Sequence, residues 1–217
     1  MEEIVTGPEF PGKEYTSMEK TAPVQHGFKL EERKVPDRRN GGGKGELEQL
    51  RHPFPPLYDE HSKILILGSF PSVKSREMAF FYGHPQNRFW KLLSRLLEAP
   101  FPETVPERCA FLLSHGIAAW DVIASCEIRG SSDASIRNAV PNDLGRILDA
   151  AQIRQVYVNG QTAGKLYRKY QEQPLRAQYG DCAKAVILPS TSPANAAWTM
   201  DRLQEAWKVI LPNLRRD

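Results

Sequence analysis

The sequence predicts an α/β domain, a three-layer α/β/α arrangement around a short parallel sheet of about four strands. Two observations carry this. Short, wholly apolar runs of buried-strand length, Ile64 to Leu67 and Ala185 to Leu188 among them, alternate with segments of helical spacing. The two runs also share a plan: each opens into an uncharged Ser/Pro-rich stretch, GSFPS or LPSTSPAN, that leads toward a helix.

Taken in order, the first strand is Lys63 to Leu67, and Gly68 lets the backbone turn at its carboxyl end, where open α/β sheets bind ligands. A helix follows from about Arg88 to Glu98, with Phe89, Leu92, Leu93, Leu96 and Leu97 on one face. A second helical run lies near Glu107 to His115. Next come a strand near Ile117 to Ile123, a long polar loop, a helix at Asn142 to Ala150 and a strand at Gln155 to Val158. A helix at Thr162 to Tyr170, a strand at Lys184 to Leu188 and a final helix from Ala194 to Ile210 complete the alternation.

Residues 1–60 contain scattered proline, a GGGKG run and almost no apolar periodicity, so they are expected to be a disordered extension, with the folded domain spanning 61–217. Charge divides the same way. Residues 1–60 carry nine Lys and Arg against 12 Asp and Glu, net −3, while the remainder carries 20 against 14, net +6. A basic domain suits a phosphate backbone as partner. The start MEEIVTGPEF has neither a basic n-region nor an apolar h-region, and no stretch is long enough to span a bilayer. The expectation is a monomeric protein with no membrane partner, cytoplasmic and nucleoid-associated if bacterial. Cys109, Cys126 and Cys182 are widely spaced, and the histidines show no paired metal-ligand spacing, so neither cofactor nor metal is expected.

Two loops and an aromatic run form the candidate site. Phe70, Phe80, Phe81, Tyr82, Phe89 and Trp90 follow the first strand closely; some must be core, but a flat ligand needs only one ring to stack on. Small residues and hydroxyls in Gly68-Ser69-Phe70-Pro71-Ser72 and in Ser190-Thr191-Ser192-Pro193-Ala194-Asn195 suit phosphate contact. Ordinary capping chemistry is the alternative, with Ser192 as N-cap and Pro193 as N1.

Together these segments resemble the uracil-DNA glycosylase superfamily, and within it the sixth family, the hypoxanthine-DNA (deoxyinosine) glycosylases. GSFPS sits where the superfamily carries its first active-site motif, LPSTSPAN where it carries its DNA-intercalating loop, and FYGHPQNRFW, Phe81 to Trp90, is similar to the corresponding stretch of mismatch-specific uracil glycosylases. The resemblance runs from about Lys63 to Leu214. It implies a monofunctional DNA glycosylase that hydrolyses the N-glycosidic bond of hypoxanthine, and other deaminated bases, to start base-excision repair. Its alternatives are a uracil or G:U/G:T mismatch glycosylase and a non-catalytic nucleic-acid-binding module of the same fold.

The resemblance places Tyr82 and Phe70 as walls of a base pocket with Gly68, Ser69 and Asn159, and Pro71, Ser72, Lys74, Arg88 and residues 190–195 against DNA. Phe70 stands where many members carry a water-positioning Asp or Asn, so Asn87 inherits that role, with Asp121 or Asp133 as runners-up. Asn87 also precedes a helix and reads equally as its N-cap. Leu188 stands where several families place His or Asn to assist the departing base, which favours a purine over uracil. Asn159 alternatively serves as the turn residue of an Asn-Gly pair.

Overall fold

A computed structural model describes residues 48–129 and 135–215. Its centre is a four-stranded parallel sheet in the order β3 (Ile117–Asp121), β2 (Ile64–Gly68), β6 (Gln155–Asn159), β7 (Val186–Leu188). Every residue of β2 and β3 is buried, as their unbroken apolar runs require of strands covered on both faces. The covering helices include α2 (Phe89–Leu96), which buries Phe89, Trp90, Leu92, Leu93 and Leu96 at helical spacing, and α3 (Val105–Ser114). Others are α4 (Gly145–Ala150), α5 (Gln161–Tyr167), α6 (Gln173–Tyr179), α7 (Met200–Trp207) and α8 (Leu211–Leu214). The three-layer α/β/α fold is as the sequence predicts.

A second sheet was not expected. Strands β1 (Glu48–Arg51), β4 (Ile123–Ile128) and β5 (Arg137–Pro141) form an antiparallel sheet in the order β1-β4-β5. The strand foreseen at 117–123 is therefore two strands. Only Val122 separates β3 from β4, and the chain crosses the end of β2 there, with Val122 N–H donating to Gly68 O (2.9 Å) and Ile123 N–H to Ser69 O (3.1 Å). Much of the foreseen polar loop is this hairpin; its tip, including Asp133, lies outside the described residues.

The domain boundary at residue 61 also needs correction. Besides β1, Phe54 is buried, and Leu57 exchanges backbone hydrogen bonds with Ala119 (3.0 and 2.9 Å) along the outer edge of β3. These contacts are long-range: β1 has one apolar residue, Leu50, and is held by pairing with β4 and not by a pattern of its own.

Two helical expectations change at the site. A short helix, α1 (Val73–Glu77), begins directly after GSFPS, with Ser72 as its N-cap accepting from Ser75 N–H (3.3 Å). The final helix starts at Met200, with Thr199 as N-cap, and not at Ala194. Residues 189–198 are instead a stack of turns, so Ser192 and Pro193 open no helix, and this loop presents no helix N-terminus to a phosphate.

Candidate functional site

A cleft of about 1210 Å³ opens at the carboxyl ends of β2, β3, β6 and β7. It is walled on one side by Gly68 to Ser72 and Lys74, on the other by Ser190 to Asn195, with Tyr82, Asn87, Asp121 and Asn159 between. Of the predicted residues with described positions, Arg88 alone is not in the lining. A smaller hollow of about 660 Å³ lies at the opposite end of the sheet, near His61 and Arg154, and includes none of the predicted site residues.

The aromatic wall is built by strain and stacking. Tyr82 has φ 50°, a left-handed conformation that a bulky residue adopts only when its surroundings impose it. That turn lays one face of its ring on Phe89, with centroids 3.8 Å apart and 23° between planes, so the opposite face is the one available to a ligand. Its hydroxyl is buried without a hydrogen-bond partner; burial first, then the Asp121 carboxylate, raise its pKa far above the ordinary tyrosine value, with the Asn159 amide opposing. Phe70 is buried, edge-on to the His52 ring at 6.1 Å.

Asn87 lines the cleft, and it is not the N-cap of α2, a position that Arg88 takes without a side-chain cap bond. Its side-chain Oδ1 accepts from Phe89 N–H (3.0 Å), two residues on, and so closes a turn onto the first residue of α2. An amide oxygen has two lone pairs, so one remains for a water. Asn159 is a clamp and not a simple turn residue: Oδ1 accepts from Thr191 N–H (3.0 Å) and Nδ2 donates to Thr191 Oγ1 (2.9 Å), joining β6 to the 189–198 loop. Gly160 beside it has φ 102°, and a Cβ there would lie 3.0 Å from Ser190 Cβ, so the close approach of the two segments requires glycine.

The expectation that Arg88 meets phosphate is corrected. Its guanidinium points into the protein and donates to the carbonyls of Thr191 (3.3 Å), Ser192 (2.7 Å), Asn195 (3.0 Å) and Trp198. Five fixed donors make arginine suited to collecting carbonyls that no strand or helix satisfies. Within the loop, Asn195 Nδ2 donates to Ser190 O (2.9 Å) and Ser192 N–H to Ser190 Oγ (3.2 Å). The loop is thus braced before any ligand arrives. Lys74 stands exposed at the mouth, paired with Glu77 at 2.8 Å.

The sequence reading missed His52. Its Nδ1 lies 2.8 Å from Phe54 O and its Nε2 2.8 Å from Asp121 Oδ2. Both partners are almost fully buried, the side chains 4% and 9% exposed. The other carboxylate oxygen of Asp121 lies over Gly68, its register partner across β2 and β3; a Cβ on residue 68 would fall 2.2 Å from Oδ1. Gly68 is therefore needed to admit the carboxylate, beyond any turn at the strand end. Among the described residues, no three His, Cys, Asp or Glu side chains group as a metal site, and no helix is long and apolar enough to cross a membrane.

A parallel α/β/α sheet with a polar, aromatic-walled cleft at its carboxyl edge defines a ligand-binding α/β domain of the open-sheet class. The family model of the uracil DNA glycosylase superfamily matches residues 55–211, and the chain belongs to that superfamily. A hypoxanthine DNA glycosylase of Methanosarcina acetivorans is 31% identical over 163 residues, 74% of this chain and 98% of the relative. Another, from Methanosarcina barkeri, is 33% identical over 144 residues, 65% of this chain and 86% of the relative. A solution NMR structure of a candidate uracil DNA glycosylase from Methanosarcina acetivorans superposes with a TM-score of 0.63 at 30% identity, covering 75% of this chain and 97% of the other.

Proposed function

We propose that this protein is a monofunctional DNA glycosylase that hydrolyses the N-glycosidic bond of hypoxanthine in DNA as the first step of base-excision repair. The observation that carries this is the convergence of the GSFPS segment, Tyr82, Asn87 and the 190–195 loop on one cleft in a chain of this superfamily. The two hypoxanthine DNA glycosylase relatives support the choice of base.

The chemistry follows from the lining. A nucleotide turned out of the duplex stacks its base on the open face of Tyr82, backed by Phe89, with Phe70 closing the pocket. The braced loop at Ser190 to Asn195 enters the space the nucleotide leaves, and its rigidity spares the ordering cost of binding. The spare lone pair of Asn87 Oδ1 holds a water toward the anomeric carbon, and positioning supplies much of the acceleration. Leu188, 2% exposed, offers the departing base neither charge nor hydrogen bond, which suits a purine that leaves more readily once its ring nitrogens are solvated or protonated. Lys74 remains a candidate phosphate contact at the mouth.

The test is excision from one oligonucleotide set carrying hypoxanthine, uracil, xanthine or adenine opposite matched partners, read as strand scission at abasic sites with and without chelator. Hypoxanthine is expected to be released fastest, with no effect of chelator. A clear uracil preference, or activity abolished by chelator, would contradict the reading.

A further inference from the structure

An amide oxygen can orient water but cannot take its proton, and hydrolysis must put that proton somewhere. Phe70 cannot serve. The one carboxylate among the residues lining the cleft is Asp121, and the structure shows what holds it there.

Phe54 O can only accept, so His52 Nδ1 carries a hydrogen and donates it. The second ring nitrogen, Nε2, then faces Asp121 Oδ2 at 2.8 Å, a distance two bare acceptors do not share, so a proton lies between them. That shared proton fixes the ring and the carboxyl group in one relative orientation. Phe54, Phe70 and Trp120 pack edge-on around the His52 ring and keep water from competing. Oδ2 is thus committed to His52, while Oδ1 lies over Gly68, the first residue of the GSFPS segment. This segment has no carboxylate of its own, and the neighbouring strand brings one to its first residue, in register with Gly68.

Resting on the glycosylase reading above, we propose that Asp121 is the proton acceptor for the attacking water and that His52 is the positioning residue that keeps it aimed. The water oxygen bonds to the anomeric carbon as its proton passes to Asp121. The carbon–nitrogen bond breaks with its electron pair leaving on the base, and the proton held by Asp121 is returned to the base, so that sugar hydroxyl, free neutral base and carboxylate remain. His52 precedes the residues matched by the family model, so this half of the pair lies outside the matched core.

The test compares single-turnover excision of hypoxanthine, duplex binding and thermal melting for Asp121→Asn, His52→Gln and His52→Ala. Asparagine keeps the contact, since its amide N–H donates to a neutral Nε2, but it cannot accept a proton. Asp121→Asn is expected to lower the rate about 100-fold or more with binding and melting unchanged. His52→Gln, whose amide N–H still reaches Oδ2, should retain more activity than His52→Ala. A wild-type rate in Asp121→Asn, or a loss matched by lost binding or melting, would overturn the proposal. A wild type that releases no deaminated base would overturn the functional reading itself, and that outcome is seen without any variant.

Discussion

Gly68→Ala tests the placement of the carboxylate through a residue that has no side chain of its own. A Cβ at position 68 would sit 2.2 Å from Asp121 Oδ1, so the carboxylate must retreat by roughly 1 Å to reach an ordinary contact. Asp121 is a short side chain on a buried strand, so that retreat lengthens or breaks its 2.8 Å bond to His52. Overpacking of this kind costs about 1–3 kcal/mol, and loss of a hydrogen bond to a charged group about 1.5–3 kcal/mol. Both arise from one displacement, so they do not simply add; the expected loss is about 2–4 kcal/mol, or a fall in melting temperature of roughly 5–15 °C for a domain of this size. The assay is thermal or urea unfolding of Gly68→Ala, Asp121→Ala and the double variant. Asp121→Ala should cost distinctly less in the Gly68→Ala background than in the wild type, because the clash is already relieved. A Gly68→Ala protein within about 0.5 kcal/mol of wild type would show that the carboxylate does not occupy this place.

Three further outcomes are expected. Arg88→Ala removes the guanidinium that ties four loop carbonyls together, and leaves three of them with a single backbone donor each, so it should slow excision and raise proteolytic sensitivity near residues 189–198, at a cost of about 1–3 kcal/mol; a change confined to the salt dependence of DNA binding would instead make it a phosphate contact. Deleting residues 1–47 should leave melting and excision intact, whereas deleting residues 1–55 removes β1, His52 and Phe54 and should lower both; equal behaviour of the two truncations refutes the packing of this segment. Tyr82→Phe removes a buried hydroxyl that has no partner and keeps the stack on Phe89, so unfolding should find it as stable as wild type or more so; a loss above about 1 kcal/mol would show that the hydroxyl is bonded.

The central sheet was legible because its strands are spelled as unbroken apolar runs, ILIL in the wholly buried β2 and VIL in the half-buried β7. The antiparallel sheet was not, because Glu48–Arg51 and Arg137–Pro141 are exposed or half-exposed edge strands whose only specification is their pairing with β4. The candidate site divides similarly. Gly68 to Ser72, Tyr82 and Asn87 come from two local segments, and their grouping could be read from sequence. The bond between His52 and Asp121 spans 69 positions and has no local signature. Arg88 was misjudged for a general reason: sequence displays a guanidinium but not the carbonyls it will collect, and here the loop that presents them lies more than 100 residues away. The same loop defeated the helix prediction at Ala194, because Ser192 and Asn195 use their side chains to close turns before α7 can start at Met200.

The most direct test of the account is single-turnover release of hypoxanthine from a duplex by wild type and Asn87→Ala, measured beside their binding to the same duplex. Asn87 lies in the cleft and its substitution removes one side-chain hydrogen bond, to the N–H of the first residue of α2, a loss of about 0.5–1.5 kcal/mol that leaves the domain folded. The account predicts rapid release by the wild type, a loss of 100-fold or more in the variant at about the size general positioning effects reach, and equal duplex affinity. A folded Asn87→Ala protein that releases hypoxanthine at the wild-type rate would contradict the account, leaving Asn87 a turn-closing residue with no part in the chemistry.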